Sequence, residues 1–282
     1  MQQTHLICFL ASYFLAFVLE LSRLWRAKPW QHIAAVLVTA AGLVAHTWYL
    51  LGRSFQSQLP PLLSSSHDWL LVSGWLVVAI YLVYSLKVGK REGYNSFGLF
   101  VLPVVLLLVV AAALLDDAPS KAAQAERFWT MLHASSLSIG ITGVFIGFLV
   151  SLMYLLQHRR LKKKMNLRPG FSLPPLATLA RFNYWAVMVS FPMLTIGLIT
   201  GVGMAISSPT GKAIFSWKDP IVIGFCVVWI AMFILFLWLA RKKTGHGRQV
   251  AMLTAWAFGF LIVTLLGLQV LVSLIGIQSH NG

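Results

Sequence analysis

Eight apolar stretches, nearly free of charge and joined by short connections, leave this 282-residue chain little choice of solvent. They run over 5–21, 32–51, 69–86, 96–115, 128–157, 183–207, 221–240 and 250–276. An α-helix rising 1.5 Å per residue needs about 17–25 residues to cross roughly 30 Å of hydrocarbon, and every stretch reaches that length. The fifth and eighth exceed it and are expected to tilt or to project beyond the bilayer. Charged residues make up only 10% of the chain, and mean hydropathy is +0.80. A soluble domain carries about a quarter charged residues to keep its surface wet. In lipid, each backbone N–H and C=O must be satisfied within its own segment, which selects helices. The expected fold is therefore an all-α polytopic membrane bundle of eight spans, forming one integral membrane domain over residues 1–282. The first stretch lacks a basic leader (Met1 to Thr4 precede it) and a small-residue cleavage site, so it reads as a span and not a signal peptide.

The cations give the orientation. Alternate loops are basic: Arg23, Arg26 and Lys28; Lys87, Lys90 and Arg91; the run from Arg159 to Arg168, with Arg181; and Arg241, Lys242, Lys243 and Arg248. The other loops hold only Arg53, Lys121, Arg127, Lys212 and Lys218, together with the acids Asp68, Asp116, Asp117, Glu126 and Asp219. Basic loops stay in the cytoplasm, which places both termini outside. The net charge of +15 then reports topology and contact with anionic membrane lipid, and no nucleic-acid partner is expected. The longest inner loop, about 158–182, is expected to end in a short amphipathic interfacial stretch carrying Leu176, Leu179 and Phe182.

Several chemistries lack their residues. Cys8 and Cys226 are isolated within spans and no Cys-x-x-Cys occurs, so neither a thiol–disulfide relay nor covalent c-type haem attachment on this chain is supported. The sequence has no phosphate-cradling Gly-rich loop with Lys-Ser/Thr, no His-Glu-x-x-His and no Gly-x-Ser-x-Gly. Glu20, at the inner end of span one, is the nearest approach to a membrane-embedded carboxylate, which argues against an ion-driven transporter.

The histidines are left, and topology sorts them. His32, His158 and His246 fall at cytoplasmic ends, where a solvated or headgroup-level side chain is the plain reading, and His5 at the outer start of span one is similar. His46 near the outer end of span two, His67 in the loop after it, His133 at the outer start of span five and His280 after span eight belong to the outer half. Neutral imidazole is well suited to an axial position on haem iron, and two on different helices can supply both positions. Phe215-Ser216-Trp217-Lys218-Asp219-Pro220, beside the outer surface, combines an aromatic face with a fixed acid, as a cover for a flat macrocycle would. An interfacial tryptophan belt explains the same residues, and the residues alone do not choose. The pairs Gly143/Gly147 and Gly197/Gly201 read as close helix approaches, and Pro103 and Pro192 as loosened spans.

From about residue 40 onward the chain resembles the cytochrome c assembly family of haem-handling membrane proteins, which includes the CcsA and CcmC proteins and the HemX-like branch. Phe191-Pro192-Met193-Leu194-Thr195-Ile196-Gly197-Leu198-Ile199-Thr200-Gly201 is similar to the family's GFPLLTIGIITG span. Ser216-Trp217-Lys218-Asp219-Pro220 follows where the family has WSWDPKE, and the last span ends near His280, where it has LHSYG. Trp129 to His133 is similar to the family's WHxxxH-type opening of a long span, and Pro61 to Trp69 to its PLSNLYESL region. The length, the early His46 and the eight spans are most like the HemX-like branch.

The resemblance implies that His133 and His280 are the external axial ligands of haem b, bound non-covalently, with Trp217 and Asp219 in the haem loop and His46 as an intramembrane histidine. The family's loop carries several tryptophans and this one only Trp217, so the stacking platform is thin. The implied function is a bacterial inner-membrane component that presents haem at the outer face to an apocytochrome c, beside a ResB-like partner. Bond formation would use the partner's thiols, so the chain is not expected to be an enzyme by itself. A HemX-like regulator of haem biosynthesis and a small-molecule permease are the alternatives.

Overall fold

The computed structural model describes the backbone of residues 2–25, 28–57, 60, 62, 65–87, 96–115, 127–164, 172–207, 220–241 and 247–280. Side chains are described for the same residues apart from 2–5, 29, 66, 127, 205–207, 220–228, 231 and 265–280. Among these residues there is no strand. The helices are α1 (Gln2–Ser22), α2 (Pro29–Ser57), α3 (Ser66–Lys87), α4 (Phe97–Ala113), α5 (Arg127–Lys162), α6 (Leu176–Ser207), α7 (Pro220–Arg241) and α8 (Gly247–His280). Each contains one expected span, except that the span 96–115 runs one residue before and two residues beyond α4. Among the described residues, five helices are long and apolar enough to cross a membrane by length and composition, and shorter apolar helices cover parts of α1, α4 and α7. The chain is a polytopic helical membrane bundle.

The helices end where the local sequence requires. α5 closes on Arg159, Arg160 and Lys162, whose charge opposes the negative end of the helix dipole. Lys164 then turns into the left-handed region (φ 49°), with Lys163 N–H on the Arg159 carbonyl at 3.0 Å. α4 begins at Ser96, whose N–H donates to the Ser172 carbonyl at 2.7 Å while its Oγ accepts from Ser172 N–H at 3.3 Å. Pro103 and Pro192 both lie within continuous helices. The amphipathic stretch of Leu176, Leu179 and Phe182 is not a separate surface element: it is the first part of α6, with Leu179 fully buried.

The chain forms two compact units, Met1–Pro119 with Met153–Leu179, and Ser120–Leu152 with Ala180–Gly282. In the first, α1 packs on α2, α2 on α3, α3 on α4 and α4 back on α1, an up-and-down four-helix ring. Its core includes Phe9, Tyr13, Leu70, Leu71, Tyr81 and Leu102. Each end carries a buried ionic cluster. At the α1–α2 turn, Glu20 accepts from Arg23 Nη1 at 2.5 Å and from His32 Nδ1 at 2.8 Å. At the opposite end, Arg53 Nε donates to both oxygens of Asp68, at 3.0 and 3.2 Å.

In the second unit, glycines of α5 give room to side chains from α6 and α8. A side chain at Gly143 would strike Ser190, and one at Gly147 would strike Phe258. A buried polar chain links the same three helices: Ser151 Oγ donates to Asn183 Oδ1 at 3.0 Å, and Asn183 Nδ2 donates to Thr254 Oγ1 at 3.3 Å. Lipid offers no replacement partner for these groups. Asn183→Leu is therefore expected to lower the unfolding free energy by about 1–2 kcal/mol, measured by denaturant titration in mixed micelles. Indifference would mean that the chain of bonds contributes nothing net.

Candidate functional site

Three outer-half histidines have described side chains, and their surroundings differ. His67 is buried on the first turn of α3, not in a loop. Its Nδ1 lies 2.7 Å from the Ala112 carbonyl, which can only accept, so Nδ1 carries the proton. Its Nε2 then accepts from the Tyr49 hydroxyl at 3.1 Å. Both nitrogens are occupied. His67 is a structural residue, with Asp68 Oδ1 4.0 Å away.

His46 lies on α2 and is fully buried. Its ring stacks on Phe9 with centroids 4.3 Å apart and planes 2° from parallel, and Tyr13 meets it edge-on. Nδ1 is 3.2 Å from the Tyr13 hydroxyl, and Nε2 has no hydrogen-bond partner among the described residues. Gly42 explains the arrangement. It lies one turn before His46 on the same helix face, and a Cβ there would come within 2.8 Å of Tyr13 Cε1. The absent side chain lets Tyr13 reach the histidine. With its proton on Nδ1, directed at the Tyr13 oxygen, the ring leaves Nε2 as a bare lone pair in an aromatic cage; with Tyr13 donating to Nδ1 instead, Nε2 carries the proton.

His133 lies on α5 and is partly buried. Its Nδ1 donates to the Gly197 carbonyl on α6 at 2.7 Å, with Thr200 Oγ1 at 3.4 Å. The ring lies over Gly201, where a Cβ would come within 2.7 Å of Cε1. With the proton on Nδ1, Nε2 holds the lone pair. Orientation of a ligating imidazole through its other nitrogen is the common pattern at metal centres.

The remaining expected positions are placed as follows. His280 ends α8, and its side chain lies outside the described residues. Trp217 and Asp219, with the whole stretch 208–219, also lie outside them, as do His246 and the side chain of His5. His46 belongs to the first unit and His133 to the second. His158 stacks on Tyr154, 6.3 Å between centroids. His32 departs from its expected solvated position, because Glu20 and Arg23 draw it into the buried cluster. Among the described residues, no three His, Cys, Asp or Glu side chains gather to hold a metal ion. An iron already held by a macrocycle needs only one or two imidazoles, and the lone-pair nitrogens of His133 and, with its proton on Nδ1, His46 suit that demand.

These two histidines belong to a chain whose residues 5–275 match the family model described as cytochrome C assembly protein. The chain belongs to the cytochrome c assembly family. Among the curated relatives of this assembly-family chain is the cytochrome c biogenesis protein CcsA of Guillardia theta, 26% identical over 92% of this chain and 91% of the relative. The protein of the same name from Gloeobacter violaceus is 22% identical over 93% and 90%. That from Synechococcus elongatus is 24% identical over 74% and 76%. No solved structure matches this assembly-family chain.

Sequence reasoning missed the supporting residues: Tyr13 and Gly42 for His46, Gly201 and Thr200 for His133. The usable signal was a glycine four positions before His46 and a Gly-x-x-x-Gly pair in the span carrying the family motif.

Proposed function

We propose that this chain is a multi-pass component of the bacterial inner membrane, one integral domain, that holds haem b non-covalently at its outer face for cytochrome c assembly. His133 and His280 serve as axial ligands, Trp217 covers the macrocycle and Asp219 orients the loop or a nearby cation. His46 is an additional histidine within the membrane with a lone pair to offer. His133 and His280 would hold the haem iron through their imidazole nitrogens, and the bound haem would supply the group to be attached. The recipient is an apocytochrome c, with a ResB-like membrane protein beside it, and the recipient's own thiols form the covalent bonds. Family membership makes the chain a haem-related membrane component of cytochrome c biogenesis, and the biogenesis proteins among its relatives favour this role over a regulator or a permease.

The observation that carries the proposal is the His133 hydrogen bond to the Gly197 carbonyl at 2.7 Å. It fixes the proton on Nδ1 and leaves Nε2 as the nitrogen that can ligate. The chain's part is to hold the ring, keep the proton off Nε2 and set the ligand spacing. Purified protein is expected to show a bis-histidine Soret spectrum, lost when His133→Ala and His280→Ala are combined. A spectrum indifferent to both changes, or wild-type protein that takes up no haem, would remove the proposal.

A further inference from the structure

We propose that Gly201 is a positioning residue, whose missing side chain seats the His133 ring so that Nδ1 keeps its proton and Nε2 becomes the ligating nitrogen. The ligating role rests on the haem reading above, whereas the tautomer does not. Gly197 and Gly201 lie one turn apart on α6, a spacing that ordinarily signals close helix packing. The two are not equivalent here. A Cβ on Gly197 would meet aliphatic carbon, Leu137 Cδ2 at 2.5 Å and Cγ at 2.8 Å. A Cβ on Gly201 would meet imidazole, His133 Cε1 at 2.7 Å and Nδ1 at 3.1 Å. Leu137 lies one turn after His133 on α5, so one motif serves packing at one glycine and a histidine at the other.

The tautomer follows from what faces Nδ1. The Gly197 carbonyl at 2.7 Å can only accept. The Thr200 hydroxyl at 3.4 Å directs its single proton to the carbonyls of Ile196 and Gly197, at 2.8 and 3.0 Å. Nδ1 therefore faces two oxygens that both present lone pairs, and the proton stays on it. Free neutral histidine prefers the proton on Nε2, so this arrangement reverses the default. An alanine at position 201 would push the ring off the helix and lengthen the bond that holds the tautomer.

The test uses full-length protein with ¹⁵N-labelled histidine in lipid bilayers, and His133 is assigned by difference against His133→Gln. At neutral pH the wild-type His133 is expected to show a protonated Nδ1 and an unprotonated Nε2. Gly201→Ala should shift it toward Nε2–H, whereas Gly143→Ala, an equal addition at another point of the α5–α6 contact, should leave it unchanged. Haem titration of the same samples should show affinity reduced by about 10–100-fold in Gly201→Ala, the usual effect of losing a ligand's supporting bond, with the spectrum approaching that of His133→Ala. The wild-type tautomer is read without any variant. Thr200→Val, which adds no bulk, gives a second arm in which the Nε2–H population rises. A wild-type His133 protonated on Nε2, or a Gly201→Ala protein with wild-type tautomer and affinity, overturns the proposal. A locked wild-type tautomer without haem uptake would sink the haem reading and leave the positioning role of Gly201 standing.

Discussion

Alanine in place of Asp68 is expected to lower the unfolding free energy by about 3–5 kcal/mol, the usual cost of stranding one partner of a buried ion pair. Asp68 is fully buried, and both its oxygens accept from Arg53 Nε. Arginine cannot shed its proton to escape burial, so without the carboxylate its charge stays in the packed end of the four-helix ring. Asp68 also lies in the first turn of α3, where a negative charge opposes the helix dipole and its own N–H donates to Ser65 Oγ at 3.2 Å. Replacing both partners, with Arg53→Met and Asp68→Leu, should recover most of the loss, because no charge then remains to be solvated. Denaturant titration of the two single variants and the double variant measures the coupling. A single-variant loss below about 1 kcal/mol, the range of solvent-exposed pairs, would mean that water reaches Arg53 once Asp68 is gone.

The second large effect separates stability from function. In the pair Tyr13→Phe with His46→Leu, both partners of the Tyr13–His46 hydrogen bond become apolar, and the orphan Nε2 disappears with them. Removing both partners of a buried polar pair is close to neutral or stabilising, whereas removing one leaves the other unsatisfied. The double variant should therefore unfold at the wild-type denaturant concentration or above it. His46→Leu alone should lose about 1–3 kcal/mol through the abandoned Tyr13 hydroxyl. Cytochrome c maturation in cells carrying the double variant should nonetheless be lost. Full maturation supported by a stable double variant would make the caged lone pair incidental. A buried polar atom without a partner asks for an explanation, and a ligand is one the aromatic cage can accommodate.

The helices were legible because lipid turns a physical requirement, a long uncharged segment, into a pattern along the chain. The expected spans fall within the observed helices or extend past their ends by no more than two residues. The misread portions are those decided by tertiary partners. His32 carries no local mark that Glu20, twelve positions earlier, will claim its Nδ1. His67 follows a stretch rich in proline and serine and reads as loop, yet Tyr49 and the Ala112 carbonyl bury it. Leu176, Leu179 and Phe182 have the spacing of a surface helix, but that spacing equally begins a longer one, and α6 runs through it. Position and resemblance single out His46 and His133. Which nitrogen each offers depends on Tyr13, Gly197 and Thr200, and no linear pattern encodes a tautomer.

The division of α5 between the two compact units bears on how the protein is made. The first unit contains helices α1 to α4 but also Met153–Leu179, while Ser120–Leu152, synthesised in between, belongs to the second. A ribosome therefore begins the second unit before it has supplied the last piece of the first. The ring of α1 to α4 can close on neighbours made just before it, but Ser172, which pairs with Ser96 at the head of α4, emerges 76 residues later. Insertion cannot proceed as two finished modules in succession. Truncation anywhere between α4 and residue 179 leaves both units incomplete.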